Sequence, residues 1–146
     1  MRDRTLYFED VEEGVELPPL VKRPTTVALF RYSAVTWNPH RIHYDEAWAR
    51  HEGYPNVLVQ AHLHGAYLTQ MVMDWIGPHG ILRKLSWSNR RLAVPGDTLT
   101  CRGKVTRKYI AEGRHHVECE IWAENQNGEV CAPGAALVLL PSRAPR

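Results

Sequence analysis

AHLHGAYLTQMVMDWI, residues 61–76, is the stretch that decides the fold class. Leu63, Ala66, Tyr67, Leu68, Met71, Val72, Met73 and Trp75 leave almost no polar face, so the spacing predicts a helix buried nearly all round. Gly77-Pro78 should end it, because glycine tolerates a left-handed cap and proline cannot continue the ladder. Working outward toward the N-terminus, a shorter helix is expected over residues 27–35. Another is expected over 45–50, with Asp45 as its N-cap.

Toward the C-terminus the hydrophobic period drops to two. Leu99, Cys101, Gly103 and Val105 alternate with Thr100, Arg102, Lys104 and Thr106. Val117, Cys119, Ile121 and Ala123 alternate with Glu118, Glu120 and Glu124, and Trp122 alone breaks the rhythm. Glu112-Gly113 and Asn127-Gly128 read as hairpin turns, and Pro95-Gly96-Asp97 separates these strands from one expected over 81–94. Residues 135–140 read as a buried strand. One long buried helix beside about four antiparallel strands makes an α+β fold, with the sheet curled around the helix. Such a sheet keeps open edges, so a partner subunit is expected.

Bulk properties exclude several classes. With 146 residues the chain reads as a single domain, 1–146, able to bury a core without disulfides or metal. No apolar run reaches the roughly 18 residues of a membrane span. The opening MRDRTLYFEDVEEG does not read as a leader, so a cytoplasmic, soluble protein is expected. Cys101, Cys119 and Cys131 are widely spaced and read as core residues. A net charge of +2 with no basic stripe argues against nucleic acid. Neither His62 with His64 nor His115 with His116 has ligand spacing with a third group in view, so no metal site is expected.

YSAVTWNPHRIHYDEAW (residues 32–48), NVLVQAHLHGAYL (56–68), PGDTLTCRGKV (95–105) and ENQNGEV (124–130), in this order, resemble the MaoC-like acyl dehydratases over about residues 25–140. Within that group the string around His43 is similar to the mitochondrial-type 3-hydroxyacyl-thioester dehydratases and mesaconyl-CoA hydratases. DWIGPHGILRK (74–84) resembles the small subunit of heteromeric sterol-side-chain enoyl-CoA hydratases. The resemblance implies a hot-dog fold acting on thioesters of coenzyme A or acyl carrier protein. It implies no cofactor beyond that carrier, and assembly as a homodimer or as a heteromer with another hot-dog subunit.

The implied chemistry is hydration of 2-enoyl thioesters, or dehydration of 3-hydroxyacyl thioesters. It needs a base for water, a proton for the α-carbon and donors for the enolate oxygen. His43 is the candidate for proton handling. The family carries an Asp five positions before its catalytic His; here Asn38 stands there, and an amide orients water or substrate without accepting a proton. His40 is either a second proton-transfer group or exposed, and Arg41 binds phosphate, pairs with Asp45 or faces solvent. Val59-Gln60-Ala61 stand where the family has V-H-G, so the oxyanion donors fall among Gln60, Ala61 and His62 as backbone N–H groups opening the long helix. Two alternatives accompany this reading: a supporting subunit of a heteromeric hydratase whose partner is catalytic, and an acyl-CoA thioesterase.

Overall fold

The computed structural model describes residues 4–143; residues 1–3, part of the stretch read as lacking a leader, and 144–146 lie outside the described residues. Strand β1 (Leu20–Lys22) precedes helices α1 (Thr26–Thr36), α2 (Glu46–His51) and α3 (Ala61–Ile76). Strands β2 (Ile81–Trp87), β3 (Leu99–Ala111), β4 (Arg114–Glu124) and β5 (Val130–Leu139) follow. They form one antiparallel sheet in the order β1-β3-β4-β5-β2. Helix α3 contacts all five strands, so the sheet wraps around it in the hot-dog arrangement.

The alternation read in β3 and β4 is the core. Leu99, Cys101, Val105, Val117, Cys119, Ile121 and Ala123 are all buried, and the three cysteines are free. Against them α3 sets Leu68, Met71, Val72 and Ile76, each contributing roughly 1.5–3 kcal/mol of burial. The helix is less enclosed than its composition implies. Ala61, His62, Ala66, Gln70, Met73 and Asp74 are exposed, a stripe on the side turned from the sheet. Apolar count alone overstates burial, because alanine and methionine are also good helix formers on a surface.

Three strand boundaries differ from expectation. β1 is three residues long between prolines and carries no periodic signal. The strand expected over 81–94 ends at Trp87, though Arg90 N–H still reaches the Cys131 carbonyl of β5 at 2.8 Å before the Ala93 carbonyl accepts Val59 N–H at 2.8 Å. The final strand starts at Val130 and passes through Pro133-Gly134, a pair that reads as a breaker. The Pro133 carbonyl accepts Ser88 N–H at 2.9 Å, and a Cβ on Gly134 would run into the Ser86 carbonyl.

Gly65, in the middle of α3, has a packing reason. A Cβ there would penetrate the Trp87 indole, whose Nε1–H donates to the Ala61 carbonyl at 3.2 Å. Gly65→Ala should therefore lower stability by about 1–3 kcal/mol despite alanine's better helix propensity, read as an earlier urea midpoint with unchanged slope. An unchanged or later midpoint would show that the indole moves aside freely.

Candidate active site

The site begins at the end of α1. Thr25 caps its start by accepting Ala28 N–H at 3.1 Å. Its end is closed by Trp37 in the left-handed region (φ 53), which lets the N–H groups of Trp37 and Asn38 both reach the Ser33 carbonyl. Asn38 Oδ1 then accepts His40 N–H at 3.3 Å, an Asx turn that starts the loop. Tyr44 spans the loop by donating its hydroxyl to the Pro39 carbonyl at 2.6 Å.

Within that loop Arg41–His43 form one 3-10 turn, with Ile42 and His43 buried. Two bonds anchor the turn to the strand-like approach to α3. Leu58 N–H donates to the Ile42 carbonyl at 2.9 Å, and His43 Nδ1 lies 2.8 Å from the Leu58 carbonyl. A carbonyl can only accept, so Nδ1 carries the hydrogen and Nε2 keeps its lone pair. Burial pushes the His43 pKa below its usual value; the Leu58 carbonyl opposes that shift and nearby His40 adds to it. The imidazole is thus neutral, fixed in one tautomer, with a basic nitrogen to spare.

The neighbouring candidates are arranged differently. Arg41 is engaged: it donates to Asp45 Oδ2 through Nε (3.1 Å) and Nη2 (2.6 Å) and stacks over Trp48 at 4.2 Å. Of the roles open to Arg41, pairing with Asp45 is the observed one. Asp45 also caps α2, accepting Trp48 N–H at 3.0 Å. His40 is exposed, 3.8 Å from Glu52, with its ring 5.9 Å from that of His43. His115 packs on Phe8 and His116 stacks on Tyr109, so those two point apart. Among the described residues no group of three His, Cys, Asp or Glu side chains is arranged to hold a metal, and no helix is long and apolar enough to cross a membrane.

At the start of α3 the N–H groups of Ala61 and His62 have no acceptor among the described residues, and both residues are exposed. Gln60 is wholly buried: its Nε2 donates to the Leu29 carbonyl (2.8 Å) and to Ser33 Oγ (2.9 Å), tying α3 to α1. Its side chain therefore supports the fold rather than meeting a ligand. His64 is buried as well, and burial pushes its pKa down. Asn38 and His43 share a loop, but no hydrogen bond joins them. Asn38 lines a pocket of 270 Å³ with Ser33, Phe30, Ala34, Trp37 and Tyr44, while His43 turns toward Leu58. Ser33 and Leu58 were not foreseen. Leu58 acts through a carbonyl that no side chain announces, and Ser33, five positions before Asn38, is brought to it by the left-handed turn at Trp37 rather than by helical spacing.

The structure resembles the R-hydratase PhaJ1 from Pseudomonas aeruginosa, with a TM-score of 0.86 and 20% identity over 95% of this chain and 88% of that one. It also resembles a chain of the ChsH1-ChsH2 complex from Mycobacterium tuberculosis, with a TM-score of 0.78 and 19% identity over 88% of this chain and 98% of that one. At such identities the likeness is one of fold. In sequence, the chain is 43% identical to the mesaconyl-C(4)-CoA hydratase of Chloroflexus aurantiacus across 44% of its own length and 24% of that protein's. The chain thus spans about a quarter of the curated relative it matches. The family profile described as hydroxyacyl-thioester dehydratase type 2 matches residues 17–95, more than half of the sequence and all of the loop and helix start described above. The chain belongs to the hydroxyacyl-thioester dehydratase type 2 family.

Proposed function

We propose that this chain interconverts 2-enoyl and 3-hydroxyacyl thioesters, carried on coenzyme A or acyl carrier protein, with no further cofactor. The observation that carries the reading is the buried, neutral His43, whose Nδ1–H is spent on Leu58 so that Nε2 is left as a base. Leu58 lies three positions before Ala61, where α3 presents unpaired N–H groups. In the hydration direction His43 Nε2 takes a proton from water as the oxygen bonds to the β-carbon. The alkene electron pair moves toward the thioester, whose oxygen takes the developing charge and is held by N–H of Ala61 or His62. The proton held by His43 then passes to the α-carbon, which completes the addition of one water. Asn38 orients water or substrate through its amide.

The supporting-subunit reading rests on two specific features. Asn38 stands where the family has a carboxylate, and α3 carries an exposed stripe. The chain also covers only about a quarter of the curated relative. The discriminating experiment assays the purified chain on a panel of enoyl-CoA substrates, alone and mixed with hot-dog chains encoded nearby. Hydration by the chain alone establishes a self-sufficient site. Activity only in the mixture, surviving His43→Ala, assigns the chemistry to the partner. Release of free thiol without hydration would replace both readings with thioester hydrolysis.

A further inference from the structure

The pocket beside Asn38 holds a second polar group, the Ser33 hydroxyl, that the proposed reaction does not use. One amide, Asn38, lines the pocket and a second, the buried Gln60, stands behind its Ser33 wall; the orientation of each is settled by a partner that can play only one role. The Leu29 carbonyl only accepts, so the buried amide of Gln60 presents Nε2, and the same nitrogen donates its second hydrogen to Ser33 Oγ at 2.9 Å. Ser33 is thus the acceptor in that bond, and its own hydroxyl hydrogen has no acceptor among the described residues. Likewise His40 N–H only donates, so Asn38 Oδ1 receives it and Nδ2 is left unbonded among the described residues. The left-handed turn at Trp37 folds Asn38 back onto the last turn of α1, which brings these two donors to one pocket. The Tyr44 hydroxyl on the same wall is already donated to Pro39. Phe30, Ala34 and Trp37 make the remaining wall apolar.

A pocket whose unpaired hydrogens are the Ser33 hydroxyl and the Asn38 amide, with no basic residue in its wall, can donate to a neutral acceptor oxygen at the end of an apolar segment. It does not suit a carboxylate, whose desolvation would go uncompensated by a positive charge. We propose that Ser33 and Asn38 bind a neutral carbonyl oxygen on the acyl group of the thioester, with Gln60 as the positioning residue that keeps the Ser33 hydroxyl pointing outward as a donor. This rests on the acyl-thioester reading for the class of ligand. It adds a preference for oxo-substituted acyl chains.

The test uses the chain together with any hot-dog subunit that purifies with it. The first readout is the ratio of kcat/KM for oxo-oct-2-enoyl-CoA, with the ketone at C5, C6 or C7, to kcat/KM for oct-2-enoyl-CoA. Ser33→Ala should lower that ratio about tenfold for the preferred ketone position, the loss of one well-placed hydrogen bond, and Ser33→Thr should restore it. Gln60→Met should lower the ratio too, although Ser33 is still present, because the freed hydroxyl can turn back to the Leu29 carbonyl. A ratio unmoved by all three variants overturns the proposal. The second readout needs neither turnover nor a variant: the carbonyl stretch of a ¹³C-labelled ketone in the matching saturated oxo-octanoyl-CoA should move to lower frequency on binding the unaltered protein. An unshifted band, or no binding of the oxo compound, overturns the proposal even where oct-2-enoyl-CoA is hydrated normally. A shifted band with no hydration of any enoyl-CoA would instead sustain the pocket and defeat the hydratase reading.

Discussion

Replacing His43 with alanine should lower kcat for enoyl-thioester hydration by about 10²–10⁴-fold, the usual contribution of a positioned acid–base group. The substitution removes the basic nitrogen held beside Leu58, and neither Asn38 nor Arg41 can replace it: an amide does not take a proton, and a guanidinium does not lose one; His40, its ring 5.9 Å away, is exposed beside Glu52. In the unaltered protein the pH profile should carry the same signature. On the proposed mechanism the working form is the neutral imidazole, and burial lowers the His43 pKa from its ordinary 6.5. kcat/KM should therefore be level through neutrality and fall on acidification with a midpoint below 6.5. Stability follows with the same sign. His43 and His64 both have folded pKa values below their unfolded ones, so the unfolded chain binds protons first. The contribution of these two histidines should fall as pH drops beneath 6.5 and level off once their depressed folded values are passed, while the carboxylates held below their usual range, Asp45 and Glu124 among them, continue the decline at lower pH. His43→Ala should reduce that acid sensitivity as well as activity. Full activity in a folded His43→Ala protein would remove His43 from the chemistry.

The parts legible in the sequence are those in which side-chain type and spacing carry the physics. Helix α3 was expected over residues 61–76 and occupies Ala61–Ile76, because apolar density upstream of Gly77-Pro78 marks both body and end. The alternation in β3 and β4 was legible because period two follows directly from the pleat, and Asp45 was legible as a cap because a short side-chain acceptor before a helix has one dominant use. What sequence could not show depends on backbone groups or on tertiary partners. β1 has three residues and exists only as the neighbour of β3. Beyond Trp87 the chain bonds irregularly to β5 and then, at Ala93, to Val59, and neither residue type announces that bond. Gln60 is read in the sequence only for its backbone N–H at the head of α3, and its side chain carries no sign of where it goes. It is buried because α1 places the Leu29 carbonyl and Ser33 hydroxyl opposite its amide, and those interactions offset the desolvation of the amide hydrogens. The same principle settles Arg41: three roles were open, and Asp45 with Trp48, one and two turns along, held it.

Replacing Ala61 with proline should separate the oxyanion role from the fold and reduce kcat by about 10²–10³-fold, the magnitude typical of removing one oxyanion donor. Ala61 is the first residue of α3, where proline is well tolerated because the N–H it removes has no partner within the helix. The residue before a proline must be extended, and Gln60 already is, at φ −61 and ψ 141. The helix and the Gln60 anchor should thus survive while the donor disappears. The geometry also explains why these two amides could serve without the family's His and Gly residues. A peptide unit is planar, so fixing its carbonyl fixes the N–H on the opposite side. The Gln60 carbonyl accepts from Leu63 and His64 N–H at 3.0 and 3.3 Å, which holds the direction of Ala61 N–H. Trp87 holds the Ala61 carbonyl at 3.2 Å, which holds the direction of His62 N–H. Donors oriented before substrate arrives need no reorganisation as charge develops, and that property resides in the backbone. His62→Pro deletes the second N–H in the same first turn, but the residue before it, Ala61, is already helical, so that variant is read only where circular dichroism shows the helix content unchanged. If Ala61→Pro alone is impaired, the first amide is the donor; if His62→Pro alone is impaired, it is the second. Unimpaired hydration by both folded variants would mean that the thioester oxygen is held elsewhere than at the start of α3.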